Sequence, residues 1–111
     1  MATDALIINR QGRPTLISVI GEIDLATRPQ FEEALAQLFG ADGDSRLDLQ
    51  GVTFMDTRSV TAVVHCARRL HEEGGRLVVH HPPESLLRIY RLLWARQDDS
   101  RLFISGVRGE P

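Results

Sequence analysis

Arg46-Leu47-Asp48-Leu49-Gln50-Gly51-Val52-Thr53-Phe54-Met55-Asp56-Thr57-Arg58-Ser59-Val60 is the stretch on which the fold turns. Arg46 to Leu49 alternates polar and apolar residues, which is the period of a strand. Gly51 breaks the pattern before a short apolar stretch, Val52 to Met55. Asp56, Thr57 and Ser59 are all N-cap or first-turn residue types, so a helix is predicted to begin near Asp56 or Thr57. Its buried stripe is Val60, Val63, Val64, Ala67 and Leu70, and Gly74-Gly75 stops it. A helix start carries free backbone N–H groups and positive dipole potential. In an open α/β sheet, functional loops gather where strand ends face helix starts.

Working outward, residues 5–9 and 15–20 read as strands rich in β-branched residues. Gln11-Gly12-Arg13-Pro14 between them is a turn signal, which predicts a hairpin. Gly21-Glu22-Ile23-Asp24-Leu25 follows. Thr27 is then placed as an N-cap, with Pro29 in the first turn where its missing N–H costs little. Phe31, Ala34, Leu35, Leu38 and Phe39 recur at helical spacing and give an amphipathic helix ending near Gly40. After the central helix, residues 76–80 read as a strand. His81-Pro82-Pro83 launches a third helix whose buried face is Leu86, Leu87, Tyr90, Leu93 and Trp94, with Ile89 and Leu92 at its edge. Residues 101–105 form a last strand. The order β-β-α-β-α-β-α-β implies the α/β class. The expected sheet is mixed but mostly parallel, with about four or five strands packed by three or four helices.

The chain has 111 residues, the size of one compact domain, with a core over about 5–106. The formal net charge of −2 argues against nucleic acid as a partner, because nucleic-acid-binding domains carry a strong basic excess. Every basic residue is arginine, which pairs bidentately with carboxylates and phosphates. One cysteine, Cys66, cannot form an internal disulfide, which fits a reducing compartment. Met1 to Asp4 does not open a signal peptide, and no apolar run approaches the length of a membrane span. The expected location is the cytoplasm.

Catalytic and metal motifs find no support. His65-Cys66 would need an arginine six residues after the cysteine to resemble a cysteine phosphatase loop, and that position is Glu72. His65, His71, His80 and His81 include no pair at the i, i+4 spacing of a helical metal site. The glycines match neither the P-loop nor the dinucleotide pattern. No catalytic residue, cofactor or metal ligand is assigned. Two strand ends remain, Gly21 to Asp24 and Phe54 to Val60.

These two ends carry a resemblance. Gly21-Glu22-Ile23-Asp24-Leu25-Ala26-Thr27 looks like the glycine-x-x-aspartate strand end of the STAS domain family, followed by its capping threonine. Leu47 to Asp56 is similar to the family's second signature, a strand, a turn and then Phe-Met-Asp. Gly74-Gly75-Arg76-Leu77-Val78-Val79 fits the glycine pair and strand that follow the central helix. Such a resemblance, in which the chain is similar to the anti-sigma factor antagonists, implies a non-enzymatic module that binds a kinase-type (GHKL-type serine/threonine) anti-sigma factor in a partner-switching pathway controlling transcription. It places the partner surface at Asp24, Asp56, Thr57, Arg58 and Ser59. The family's usual motif is Asp-Ser-Ser-Gly with the second hydroxyl phosphorylated, but here that slot is Arg58 and the glycine slot is Ser59. Thr57 takes the first hydroxyl position and resembles the acceptor of stressosome-type members, so Thr57 and Ser59 are the phosphorylation candidates. The alternative is a non-phosphorylated scaffold or transport-complex subunit with a fixed protein partner.

Overall fold

β-branched runs and amphipathic runs alternate along the chain, and the elements follow them. They are β1 (Ile7–Gln11), β2 (Leu16–Ile23), α1 (Arg28–Ala36), β3 (Asp44–Met55), α2 (Thr57–Glu72), β4 (Arg76–His80), α3 (Glu84–Leu93) and β5 (Leu102–Ser105). The computed structural model describes residues 5–12, 15–40 and 44–93, and the backbone of 102–105. Five strands form one sheet in the order β1-β2-β3-β4-β5. β1 and β2 pair antiparallel as the expected hairpin, and every other pair is parallel. The sheet is therefore mixed and mostly parallel, and three helices pack on it.

Each parallel neighbour is joined by a crossover helix. Such crossovers are right-handed, and with strands added in sequence order this lays all three helices on one face. Burial follows the register. Ile17, Leu47 and Val79 are neighbours across the sheet, and all are fully buried under the helices with Phe31, Val63 and Leu70. On the other face Ile7 pairs with Ile20, and both are exposed.

β3 departs from expectation. Gly51 does not break it; the strand runs unbroken from Asp44 to Met55. Between the Ser18–Asp48 and Ile20–Gly51 pairs β2 advances two residues and β3 three; between Gly21–Val52 and Glu22–Phe54 the steps are one and two. Two extra residues are thus absorbed as bulges, which bend a strand and re-aim its side chains. Gly51 is needed at the first, because a Cβ there would lie 2.6 Å from Ile20 Cγ1 and 3.3 Å from Ile20 Cα. Gly51→Ala is expected to cost about 1–3 kcal/mol by overpacking. Urea denaturation checks this, and adding Ile20→Ala should recover part of the loss.

The helix boundaries have local causes. α2 ends in a Schellman motif, with Gly75 N–H donating to the Leu70 carbonyl at 2.9 Å and Gly74 N–H to that of His71 at 3.0 Å. Gly74 takes the positive φ of 91° that this motif requires. α1 ends at Ala36, earlier than expected, and a turn carries the chain to Gly40. On α3, Leu86 is buried while Leu87, Ile89 and Tyr90 pack partly against the core. Ile89 is therefore an inward residue, and Leu93, expected inside, is exposed. Trp94 lies outside the described residues.

Candidate functional site

Ile23 and Met55 are register partners at the ends of β2 and β3. The residue after each strand is an aspartate, so the fold brings Asp24 and Asp56 to the C-terminal ends of two neighbouring interior strands. Asp56 N–H donates to the Ile23 carbonyl at 3.1 Å and ties the two ends together. Met55 N–H donates to Ser85 Oγ of α3 at 3.1 Å, which fastens the same strand end to a third element.

Asp24 shapes the first loop. Its Oδ1 accepts from Ala26 N–H at 3.0 Å and Thr27 N–H at 3.3 Å. Thr27 occupies the N-cap position of α1, but its side chain makes no capping hydrogen bond. Its buried hydroxyl instead reaches back, donating to the Glu22 carbonyl at 2.7 Å and accepting from Asp24 N–H at 3.0 Å. The side chain expected to cap the helix thus closes the turn leading into it. Pro29 stands in the first turn of α1 as expected.

Asp56 shapes the second. It is the N-cap of α2 in extended backbone conformation, and its carboxylate is divided between two tasks. Oδ1 accepts from Ser59 N–H at 2.9 Å and from the Ser59 hydroxyl at 2.7 Å. Oδ2 accepts from Arg28 of α1 at 2.6 Å. The two side chains of that ion pair are only 12% and 27% exposed, which sets it apart from a solvated surface pair.

Burial alone would raise the Asp56 pKa; the hydroxyl and N–H of Ser59 and the Arg28 guanidinium together outweigh it and hold the carboxyl below its ordinary 3.8. A carboxylate with a depressed folded pKa contributes stability that is fully present above its unfolded value and is lost as pH falls through the folded one. Denaturant melts of wild type and Asp56→Asn should therefore differ most above about pH 4 and converge in stronger acid. An equal difference at every pH would contradict this account of Asp56.

The residues nominated from sequence divide. Thr57 and Arg58 are exposed on the first turn of α2. Asp24 and Asp56 are half-buried and act through hydrogen bonds. Ser59 is 0% exposed, with its hydroxyl directed at Asp56. Two apolar side chains missed as surface features flank the loops, Leu25 at 77% exposure and Phe54 at 44%. Arg28 and Ser85 were also missed. Arg28 meets its partner across 28 residues of chain, a pairing that spacing does not encode. Cys66 is buried, and burial pushes its thiol up to about 12, which leaves no reactive thiolate near neutral pH.

Among the described residues no helix is long and apolar enough to cross a membrane. A family model described as "Mlab, STAS domain" matches residues 7–104. The chain is 28% identical over 74 residues to the anti-sigma-B factor antagonist of Bacillus subtilis (strain 168), covering 67% of this chain and 68% of that one. Its fold is similar to an anti-sigma factor antagonist from Mycobacterium paratuberculosis, with a TM-score of 0.67 at 24% identity over 82% of this chain and 80% of that one. It is also similar to the anti-sigma factor antagonist SpoIIAA in its unphosphorylated form, with a TM-score of 0.62 at 20% identity over 78% and 82% of the two chains. The matched length and the two aspartate-ended strands agree: the chain belongs to the STAS domain family.

Proposed function

We propose that this domain is a cytoplasmic regulatory module, not an enzyme, that binds a kinase-type anti-sigma factor through the loops that begin at Asp24 and Asp56. The observation that carries the reading is the division of hydroxyls on α2: Thr57 is exposed beside Arg58, while Ser59 is buried and bonded to the cap. Thr57 is then the phosphate acceptor, and Ser59 shapes the loop from beneath. Leu25 and Phe54 supply apolar contact area, and Arg58 meets an acidic group of the partner. The kinase moves the γ-phosphoryl group of ATP to Thr57 Oγ1, the hydroxyl proton leaves to a base of the kinase, and ADP departs. The product carries about −1.5 to −2 extra charges within the contact surface, which oppose docking.

Incubation with the kinase-type anti-sigma factor of the same cell and ATP, followed by mass spectrometry, tests the assignment. One phosphate is expected on wild type and none on Thr57→Ala. Phosphate retained by Thr57→Ala would move the acceptor elsewhere. A protein that binds its partner tightly and never accepts phosphate would be the fixed-partner scaffold or transport-complex subunit instead.

A further inference from the structure

α1 and α2 enclose a cleft of about 330 Å³ lined by Arg28, Glu32, Arg58, Thr61, Ala62 and His65. Two guanidinium groups and a hydroxyl thus meet in one concavity of a chain whose net charge is negative. Arg28 uses one terminal nitrogen on Asp56, and its Nε is buried with no hydrogen-bond partner among the described residues. A buried unused donor costs free energy and needs an explanation. Arg58 is exposed and makes no ion pair among the described residues.

The cleft opens one helical turn below Thr57. Thr61, in its wall, donates its hydroxyl to the Thr57 carbonyl at 3.0 Å. Helical side chains lean toward the helix N-terminus, so Thr61 and His65 lean toward the turn that carries Thr57. Side chains at i and i+4 are neighbours about 5–6 Å apart, within reach of a phosphate ester.

We propose that this cleft is an internal receptor for a phosphate carried on Thr57. The inference rests on Thr57 being the acceptor, as read above. The phosphate takes the exposed guanidinium of Arg58 first, and then the guanidinium of Arg28, whose Nε is buried and unused while the pair with Asp56 stands and becomes reachable as that pair opens. It thereby competes with Asp56 for Arg28. Modification then alters the shape of the loop as well as its charge, because the pair joining α1 to the cap of α2 is shared out or broken.

The test installs phosphothreonine at position 57 during translation, so it needs no kinase. Phosphorus NMR follows the second ionisation of the phosphate, ordinarily near pH ~6. The guanidinium groups of Arg28 and Arg58 favour the dianion, Glu32 and Asp56 oppose it, and His65 lines the same cleft. A titration about one unit below that of the same protein unfolded in urea is expected. Most of that shift should disappear in Arg28→Gln and in Arg58→Gln, the second being an exposed change that spares the fold. An identical titration in folded, unfolded and Arg58→Gln protein would overturn the proposal. A free phosphate could offer the cleft the same chemistry. Inorganic phosphate should therefore perturb the Thr61 and His65 amide resonances less in the modified protein than in the unmodified one. Saturable perturbation of equal size in both would overturn the internal source. Failure of Thr57 as a kinase acceptor shows separately, as an unmodified threonine in the kinase assay.

Discussion

Asp56→Ala is expected to destabilise the domain by about 2–4 kcal/mol while leaving its sheet intact. Two losses combine. The first is the cap: Ser59 N–H loses its acceptor at the start of α2, and losses of this kind cost about 0.5–2 kcal/mol. The second is the partner of Arg28, whose side chain is 12% exposed. A buried cation left unpaired is more costly than the ion pair was favourable, by up to about 3–5 kcal/mol when fully enclosed. Asp56 itself is partly solvated, so the lower part of that range applies. Denaturant melts measure the total. Asp56→Asn separates the parts, since it keeps a capping oxygen and removes the charge. Arg28→Ala combined with Asp56→Ala should cost less than the sum of the two, because the pair is removed together. A double variant that loses the full sum would show that the pair is not coupled.

The second large effect concerns binding. Arg58→Glu is expected to weaken the anti-sigma partner about 10- to 100-fold, since like charges across an interface cost several kcal/mol. Arg58 is exposed and, among the described residues, takes no part in the hydrogen bonds that hold the loop, so its replacement should leave the melting midpoint almost unchanged. That separation distinguishes it from Asp56, where both fold and binding suffer. Calorimetric titration against the proposed kinase-type anti-sigma partner reads the affinity. Equal affinity for Arg58→Glu and wild type would remove Arg58 from the interface.

Features with a strong local period were legible in the sequence. The stripe Val60, Val63, Val64, Ala67 and Leu70 is buried as the 3.6-residue repeat demands, and Gly74-Gly75 stops α2 by a recognised hydrogen-bond pattern. β4 covers residues 76–80 as read from Arg-Leu-Val-Val-His. Features set by tertiary contact were not legible. Gly51 looks like a strand breaker along the chain, yet across the sheet it is the space that Ile20 occupies. Thr27 has the residue type of a cap, but the nearby Glu22 carbonyl and Asp24 N–H claim its hydroxyl first.

The same division holds at the site. Asp56 as the cap of α2 follows from residue type and position. The burial of Ser59 beside an exposed Thr57 follows from helical phase, because Ser59 falls on the same inward side as Val60 and Val63. It separates two hydroxyls that are both phosphorylation candidates in the sequence, Thr57 being the one directly after the aspartate. Arg28 on Asp56 and Ser85 on Met55 join residues far apart in the chain, and no short-range pattern announces either. They are also the contacts that fix where Thr57 and Arg58 stand.

The most direct measurement compares the affinity of the unmodified protein with that of protein carrying phosphothreonine at position 57, each titrated into the proposed kinase-type anti-sigma partner. The account predicts tight binding of the unmodified form and binding at least about 100-fold weaker after phosphorylation. Equal affinities for the two forms would contradict it.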